Sequence, residues 1–248
     1  SPTGPYPGDW DRTCKELADA GFNMLIVNML WGGLAHYPSD VLPRSETFKT
    51  QGDQIEQCLH AARKHGLELH IWKVNHNLST APPSFVRQLR DAGRTQVSVT
   101  GEASDWLNPA HPENFQLEVD SMLEVVKKYP VDGIHFDYIR YPNDRHDYSD
   151  YSRQKFEADT GIKVSYWPAD CYKGQLKSQY RDWRADQITR LVETVSREAR
   201  KIRPSVKLSA AVFREYPDCR DWVAQDWPLW ARRGYLDFIC PMDYTASD

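Results

Sequence analysis

The stretch VDGIHFDYIRYP, residues 131–142, combines the pattern of a buried strand with ionisable side chains. Its apolar residues alternate with His135 and Asp137, and successive side chains of a strand point to opposite faces. We therefore predict a strand whose apolar face packs on helices, with His135 and Asp137 on the other face. A carboxylate is costly to bury unless it is paired or used in chemistry. The alternative is an ion pair of Asp137 with Arg140 or His135 that only holds the following loop.

Apolar runs and amphipathic helical patterns alternate along the rest of the chain. The apolar runs predict five strands, at residues 22–30, 67–74, 133–138, 206–213 and 236–242. Helical spacing predicts helices at residues 9–20, 54–65, 83–92, 112–129, 179–202 and 219–233. The polar, aromatic segment 143–177 is interpreted as a loop insertion with room for one short helix. This order is typical of a parallel sheet covered by helices.

Two architectures fit this α/β alternation, an open doubly wound sheet and a (β/α)8 TIM barrel. No GxGxxG or P-loop follows the first predicted strand, which weakens the case for a nucleotide-binding open sheet. Polar and aromatic residues follow every predicted strand, as in barrels whose functional side chains lie at the C-terminal strand ends. We predict a single TIM-barrel domain over residues 1–248. Five strands do not close a barrel of eight, so we expect the barrel to be incomplete in this chain.

The composition limits the classes of partner. A net charge of −4 over 248 residues gives no electrostatic case for nucleic acid or an anionic membrane. No apolar run approaches the ~20 residues of a membrane-spanning helix. The 9 Trp, 13 Tyr and 8 Phe residues are a heavy aromatic load, which builds either core or platforms for flat and sugar-ring ligands.

The five cysteines have no zinc-site spacing. Cys14 and Cys58 fall on neighbouring predicted helices, and Cys171 and Cys219 fall in neighbouring predicted loops. Disulfides there would suit an exported protein, and buried free thiols are the alternative.

Two carboxylates stand out as candidate catalytic groups. Glu215 follows the fourth predicted strand and shares the parity of Ser209 and Ala211, so it would face the same cleft as Asp137. Glycoside hydrolysis generally uses two carboxyl groups that face each other across a cleft. A solvated loop position is the alternative for Glu215. Asp243 is a third carboxylate at a strand end, and the pattern leaves its direction open.

A larger set of amide, aromatic and charged residues falls in or just beyond the predicted strand ends. Together they would form a polar groove with stacking faces for a sugar, although each aromatic residue alone could equally be core. These candidate substrate-binding residues are Asn28, Trp31, Tyr37, Trp72, Asn75, Trp106, Asn108, His135, Tyr138, Arg140, Tyr141, Asp243 and Tyr244. A metal site from His76, His135 and Asp137 is conceivable, but a lone HxD is a weak signal. We predict no metal and no cofactor.

Several longer segments together resemble a known family. They are AGFNMLIVNM, YPSD at residues 37–40, HGLELHIWKV, DWLNPAHPE at residues 105–113, VDGIHFDYIRYP, IRPSVKLSAAV and LDFICPMDY. In order and spacing the chain resembles the glycosyl hydrolase-like family 10 group, bacterial TIM-barrel proteins related in architecture to the α-amylase clan.

The resemblance implies a glycan-cleaving enzyme, typically exported as a secreted, periplasmic or cell-surface lipoprotein, with some relatives acting on bacterial cell-wall glycan. It implies that a strand before Ser1 and the end of the barrel after Asp248 are missing. By similarity to the wider clan, Asp137 occupies the nucleophile position and Glu215 the acid/base position. Met242 stands where many relatives have Gln, and many relatives lack a Glu after KLSAAV.

The sequence therefore predicts a glycoside hydrolase acting on a polysaccharide, in which Asp137 attacks the anomeric carbon and Glu215 protonates the leaving oxygen. His135, Tyr138 and Arg140 would position Asp137, and an adjacent cation favours its ionised form. Two alternatives remain, a non-catalytic carbohydrate-binding barrel and a metal-dependent hydrolase or deacetylase. The sequence does not indicate which oligomeric state the protein has.

Overall fold

The structure is a computed structural model that describes residues 6–244. Its strands are β1 (Met24–Trp31), β2 (Leu34–Ala35), β3 (Glu68–Val74), β4 (Thr95–Val97), β5 (Ala103–Leu107), β6 (Gly133–Asp137), β7 (Lys207–Val212) and β8 (Phe238–Pro241). Its helices are α1 (Trp10–Asp19), α2 (Glu46–Gln51), α3 (Gln54–Lys64), α4 (Pro83–Asp91), α5 (Pro112–Lys128), α6 (Asp150–Thr160), α7 (Ala169–Tyr172), α8 (Lys177–Ile202), α9 (Asp218–Val223) and α10 (Trp227–Arg232). Within residues 6–244, every helix is too short or too polar to cross a membrane.

The main sheet has six strands in the order β2-β1-β3-β6-β7-β8. The five strands predicted from sequence are neighbours in chain order and run parallel, and the short β2 pairs antiparallel to β1. Strands β4 and β5 form a separate antiparallel hairpin, which the sequence pattern did not predict. Over the described residues the sheet does not close. The predicted α/β class and incomplete (β/α)8 barrel are confirmed.

The strand register separates a helix-facing side from a barrel interior. Trp72 of β3 is paired with His135 of β6, which is paired with Ser209 of β7. Paired residues of neighbouring strands share a face, and the next residue of each strand points to the other. The interior row across the sheet is completed at its two ends by Asn28 and Phe238.

The opposite face of the sheet carries the main core. Ile134 and Phe136 are buried there, in one apolar cluster with the inward stripes of α5 and α8. Those stripes follow the helical spacing predicted from sequence: Val119, Met122 and Val126 on α5, and Ile188, Leu191 and Val195 on α8. Because both faces of β6 are covered, all five of its residues are buried.

The single helix predicted at residues 219–233 is wrong, because the chain breaks it into α9 and α10. Ala224 takes a positive φ of 64° after α9, and the Asp226 side chain caps α10. Between them the buried Gln225 side chain reaches the end of β7. It accepts a hydrogen bond from the Phe213 backbone N–H at 2.7 Å and donates one to the Ala211 carbonyl at 3.1 Å. These two hydrogen bonds hold the start of the segment after β7 in place.

The insertion at residues 143–177 holds two helices, α6 and α7, rather than the one expected. Its aromatic residues build a second core against α8, where the Tyr148 ring stacks on Tyr180 at 5.3 Å and Phe156 lies edge-on to it. The five cysteines are free thiols, four of them buried.

Gly133 begins β6 under the ring of His70, which itself packs against Phe238. A Cβ added at Gly133 would lie 2.1 Å from His70 Nδ1. Gly133 is therefore required for the close approach of this ring to the strand.

We expect Gly133→Ala to lower the free energy of unfolding by about 1–3 kcal/mol, since overpacking forces side chains or backbone to shift. Urea unfolding followed by circular dichroism measures this. In a His70→Ala background the same substitution should cost much less. An equal cost in both backgrounds would contradict the steric explanation.

Candidate active site

Asp137 ends β6 as a buried carboxyl group at the C-terminal edge of the sheet. Its Oδ1 accepts a hydrogen bond from the Tyr138 backbone N–H at 2.7 Å, and Arg140 Nη1 lies 4.0 Å from the same oxygen. Burial raises the pKa of Asp137, while the Tyr138 N–H, the Arg140 charge and the nearby Trp72 indole act in the opposite direction. The predicted contact with Arg140 is present, but burial outweighs it.

His135 lies one row below Asp137 in the interior of the sheet. Its Nδ1 is 2.8 Å from Ser209 Oγ, and the Trp72 ring meets it edge-on at 6.3 Å. Burial lowers the pKa of His135 to about 4, with a smaller contribution from His70. At neutral pH His135 is therefore an uncharged group, able to donate a hydrogen bond from one ring nitrogen and accept one at the other.

Some buried polar atoms on the interior side of the sheet lack hydrogen-bond partners within the described residues. Across residues 6–244, hydrogen-bond partners are lacking for both side-chain polar atoms of Asn28, for Trp72 Nε1 and for Arg140 Nη1. An unsatisfied buried donor or acceptor costs about 1–3 kcal/mol, so such atoms are few in native proteins. Asn28 and Trp72 are register partners on the interior face. Their arrangement suits a ligand that carries several hydroxyl groups.

Tyr138 turns out of the strand pattern. Alternation places it with Phe136 on the helix side, but a positive φ of 51° redirects the chain after Asp137. The Tyr138 ring instead lies 5.6 Å from Trp106 and 4.4 Å from the Arg140 guanidinium. A left-handed residue other than Gly costs about 1–2 kcal/mol, and here it brings an aromatic face next to the carboxyl group.

The β4–β5 hairpin delivers Trp106 to this position. Leu107 N donates to the His76 carbonyl at 2.8 Å, and Asn77 forms a bridge with Trp106. The alternation of apolar and polar residues in the sequence predicts neither of these two contacts. The pairing of the hairpin with the segment after β3 therefore makes Trp106 a neighbour of Tyr138.

A buried ion pair holds the segment after β3. Lys73 Nζ lies 3.2 Å from Glu118 Oε1, and Glu118 Oε2 accepts a hydrogen bond from Asn75 Nδ2 at 2.6 Å. Burial would raise the pKa of Glu118, but Lys73, His76 and Asn75 together lower it. Asn75 N also donates to the Asp137 carbonyl at 2.8 Å. Asn75 therefore acts here as an anchor between α5 and the end of β6.

Glu215 lies in an exposed position beyond β7. Arg214 binds it at 2.6 Å and binds Asp243, beyond β8, at 2.6 Å through a second nitrogen. The hydrogen bond from Arg214 lowers the pKa of Glu215. A raised pKa at Asp137 and a lowered one at Glu215 are the reverse of what a nucleophilic Asp137 and an acidic Glu215 require.

Three predicted substrate-binding residues are fully buried in other contacts, and the structure does not bring them to the group around Asp137. Tyr37 donates a hydrogen bond to Glu124 at 2.8 Å. The Tyr141 ring lies under the Arg184 guanidinium at 4.3 Å. Asn108 is held by hydrogen bonds inside the protein, to the hydroxyls of Ser149 and Ser152.

Trp31 and Tyr244 are exposed at the ends of β1 and β8, as expected for rim residues. The aromatic residues Phe213, Tyr216 and Trp222, which follow β7, were missed by the sequence analysis. The available signal was the aromatic content of FREYP and of DW at residues 221–222. Among the residues described, no group of three or more His, Cys, Asp or Glu side chains is arranged to hold a metal ion.

The chain is similar to known glycosyl hydrolases over most of its length. The profile of the family described as Glycosyl hydrolase-like 10 matches residues 9–247, and the chain belongs to this family. It is 26% identical to the glycosyl hydrolase DigH of Escherichia coli K12, covering 90% of this chain and 55% of that protein. It is 23% identical to the glycosyl hydrolase YngK of Bacillus subtilis, covering 96% of this chain and 49% of that protein. The chain thus spans about half the length of these curated relatives.

Solved structures of glycoside hydrolases share the fold. The PgaB (BpsB) glycoside hydrolase domain from Bordetella bronchiseptica matches with a TM-score of 0.74 at 13% identity, covering 94% of this chain and 67% of that one. A β-galactosidase from Rahnella sp. R3 matches with a TM-score of 0.65 at 17% identity, covering 97% of this chain and 38% of that one.

The raised pKa of Asp137 has a consequence for stability. The folded protein disfavours the ionised form of the Asp137 carboxyl group. The contribution of this group to the free energy of unfolding is therefore full below the ordinary Asp pKa, and it is lost as the pH rises through the raised pKa of the folded state. Asp137→Asn should therefore be more stable than the parent protein at pH 7, with the difference shrinking towards pH 3. Urea unfolding at both pH values measures it. A difference that does not change with pH would contradict the raised pKa.

Proposed function

We propose that this member of the glycosyl hydrolase-like 10 family hydrolyses O-glycosidic bonds of a polysaccharide, with Asp137 and Glu215 as its two working carboxyl groups. The observation that carries the proposal is Asp137 itself, a buried carboxyl group at a C-terminal strand end. Trp72 and Arg140, each with a buried nitrogen that lacks a hydrogen-bond partner within residues 6–244, act on it directly, and Asn28 is the register partner of Trp72 on the same interior face. Functional side chains of β/α barrels occupy this edge. The likeness to glycoside hydrolases supports the reaction class.

The electrostatic environment of the two carboxyl groups supports one assignment of their roles. A general acid must hold its proton at the working pH, whereas a base or nucleophile must be ionised. Burial raises the pKa of Asp137, and Arg214 lowers that of Glu215. We therefore assign Asp137 as the acid that protonates the glycosidic oxygen as the bond to the anomeric carbon breaks. Glu215 accepts the proton of the attacking water. This reverses the assignment made from sequence.

The remaining groups suit a sugar. The Asn28 amide and the Trp72 indole N–H can bind hydroxyl groups, and neutral His135 can donate or accept a hydrogen bond. The adjacent rings of Trp106 and Tyr138 offer an apolar face to a pyranose ring.

Bacterial cell-wall glycan is the first substrate to test, because DigH and YngK are bacterial glycosyl hydrolases. Such a substrate lies outside the cytoplasm, so the proposal includes export as a secreted, periplasmic or cell-surface protein. Since the chain spans about half of these relatives, the activity of the whole protein belongs to the proposal as well.

A second candidate function is a non-catalytic carbohydrate-binding barrel. The observation that favours it is Glu215, which is exposed and bound to Arg214. A binding barrel would keep the aromatic residues and unpaired polar atoms around Asp137 but would need no second carboxylate.

We expect Asp137→Asn and Glu215→Gln each to lower hydrolysis by about 10²–10⁴-fold, the usual contribution of general acid or base catalysis. Reducing-end release from a polysaccharide panel that includes bacterial cell-wall glycan measures this, with and without chelator. Asp91→Asn, an exposed carboxylate at the end of α4, is the control and should keep full activity. No release by the parent protein, with polysaccharide binding retained in the parent and both variants, would favour the binding barrel.

An activated aryl glycoside separates the two roles. Its leaving group departs without protonation, so Asp137→Asn should keep most of its rate on this substrate while Glu215→Gln loses it. The opposite pattern would restore the assignment made from sequence.

A further inference from the structure

We propose that the aromatic surface after β7, formed by Phe213, Tyr216 and Trp222, is a second sugar-binding subsite. One glycan chain would then be held on both sides of Asp137 and cut in its interior rather than trimmed from an end. This inference rests on the proposed function in taking a glycan as the ligand.

The surface consists of large aromatic side chains left open to solvent. Trp222 is 46% exposed, and its ring centre lies 5.6 Å from that of Phe213. Tyr216 is 42% exposed and lies edge-on to Trp227 at 6.0 Å. Exposed apolar patches of this kind mark binding sites more often than isolated exposed residues do.

Arg140 connects this surface to the candidate active site. Its guanidinium lies 4.9 Å from the Phe213 ring centre, 4.4 Å from that of Tyr138 and 4.0 Å from the Asp137 carboxylate. Trp106 joins the segment after β3, and Phe213 follows β7, so the two aromatic pairs lie on opposite sides of the end of β6. Asp137 is the last residue of β6, between the two pairs.

The second aromatic pair is held rigidly. Gln225 fixes the Phe213 backbone, as described above, and Arg181 of α8 binds Asp221 at 2.9 Å. Arg220 binds Asp182 of α8 at 2.7 Å and Asp226 at 2.9 Å. These contacts anchor α9 on both sides of Trp222. A surface that is already ordered loses little entropy when it binds a ligand.

The chemistry of the surface fits a sugar chain. A pyranose ring has apolar C–H faces and hydroxyl edges, so it prefers an aromatic face bordered by polar groups. Arg214, Glu215 and Asp243 supply charged groups in the segments that follow β7 and β8. Stacking surfaces on both sides of the reacting carboxyl group fit a chain that extends in both directions.

Binding is measured first, in an Asp137→Asn background so that no hydrolysis is needed. Affinity electrophoresis uses bacterial cell-wall glycan and the other polysaccharides of the panel, and titration uses β-1,4-linked N-acetylglucosamine oligomers of two to eight units. Trp222→Ala and Trp106→Ala should each weaken binding of long chains by about tenfold, the loss expected for one aromatic stacking partner. Trp222→Phe should restore most of the affinity, which separates a stacking role from a folding defect.

Phe22→Ala is the matched control, because Phe22 is an aromatic residue 58% exposed before β1, at the other end of the strands. It should bind as the parent does. Binding by Trp222→Ala that equals binding by Phe22→Ala would overturn the second subsite. If the parent hydrolyses a glycan, its early products should be long chains. Release of only mono- or disaccharides from the start would overturn interior cutting.

These experiments distinguish failure of the proposed hydrolysis from failure of the second subsite. Glycan binding that depends on Trp222 without hydrolysis by the parent would remove the proposed activity and interior cutting but support the second subsite. Hydrolysis that does not depend on Trp222 would remove the subsite and keep the activity. No binding of any glycan by the parent would overturn both.

Discussion

In-register parallel pairing of β3, β6 and β7 is the constraint on which the rest of the structure depends. It sends Ile134 and Phe136 to the helices and His135 and Asp137 to the barrel interior. The helices cover one face of β6, and side chains of β3 and β7 cover the interior face. The carboxyl group at the end of β6 is therefore buried. The raised pKa of Asp137, the neutral state of His135 and the unpaired polar atoms nearby all follow from that burial.

The five parallel strands and the interior position of Asp137 could be predicted from sequence, because a period of two and continuous apolar runs are local properties. Positions beyond the strand ends could not. Parity places Tyr138 on the helix side, but its left-handed backbone turns the ring towards Trp106 and Arg140. Parity also does not show that Glu215 is exposed and paired with Arg214. Alternation holds only while the backbone stays extended.

Other sites depended on partners that are distant in sequence. The type of residue made Tyr37 and Tyr141 plausible sugar platforms, but a hydrogen bond to Glu124 and the cation over the Tyr141 ring hold them in the interior. The helix predicted at residues 219–233 contains Pro228, which breaks a helix interior and instead lies in the first turn of α10. At the break, Gln225 reaches the end of β7. That break also orders the segment carrying Trp222, a residue that the sequence analysis missed.

Family membership and fold likeness indicate glycosidase-type chemistry, but fold alone does not assign the role of a residue. We assign those roles from the burial of Asp137 and the charge of Arg214 beside Glu215. The most direct test of the central claim is a crystal structure of Asp137→Asn with an oligosaccharide of the glycan that the protein binds. The account predicts a glycosidic oxygen within hydrogen-bond distance of residue 137, with sugar hydroxyls on Asn28 and the Trp72 N–H. An oligosaccharide bound on the rim, away from residue 137 and these groups, would contradict it.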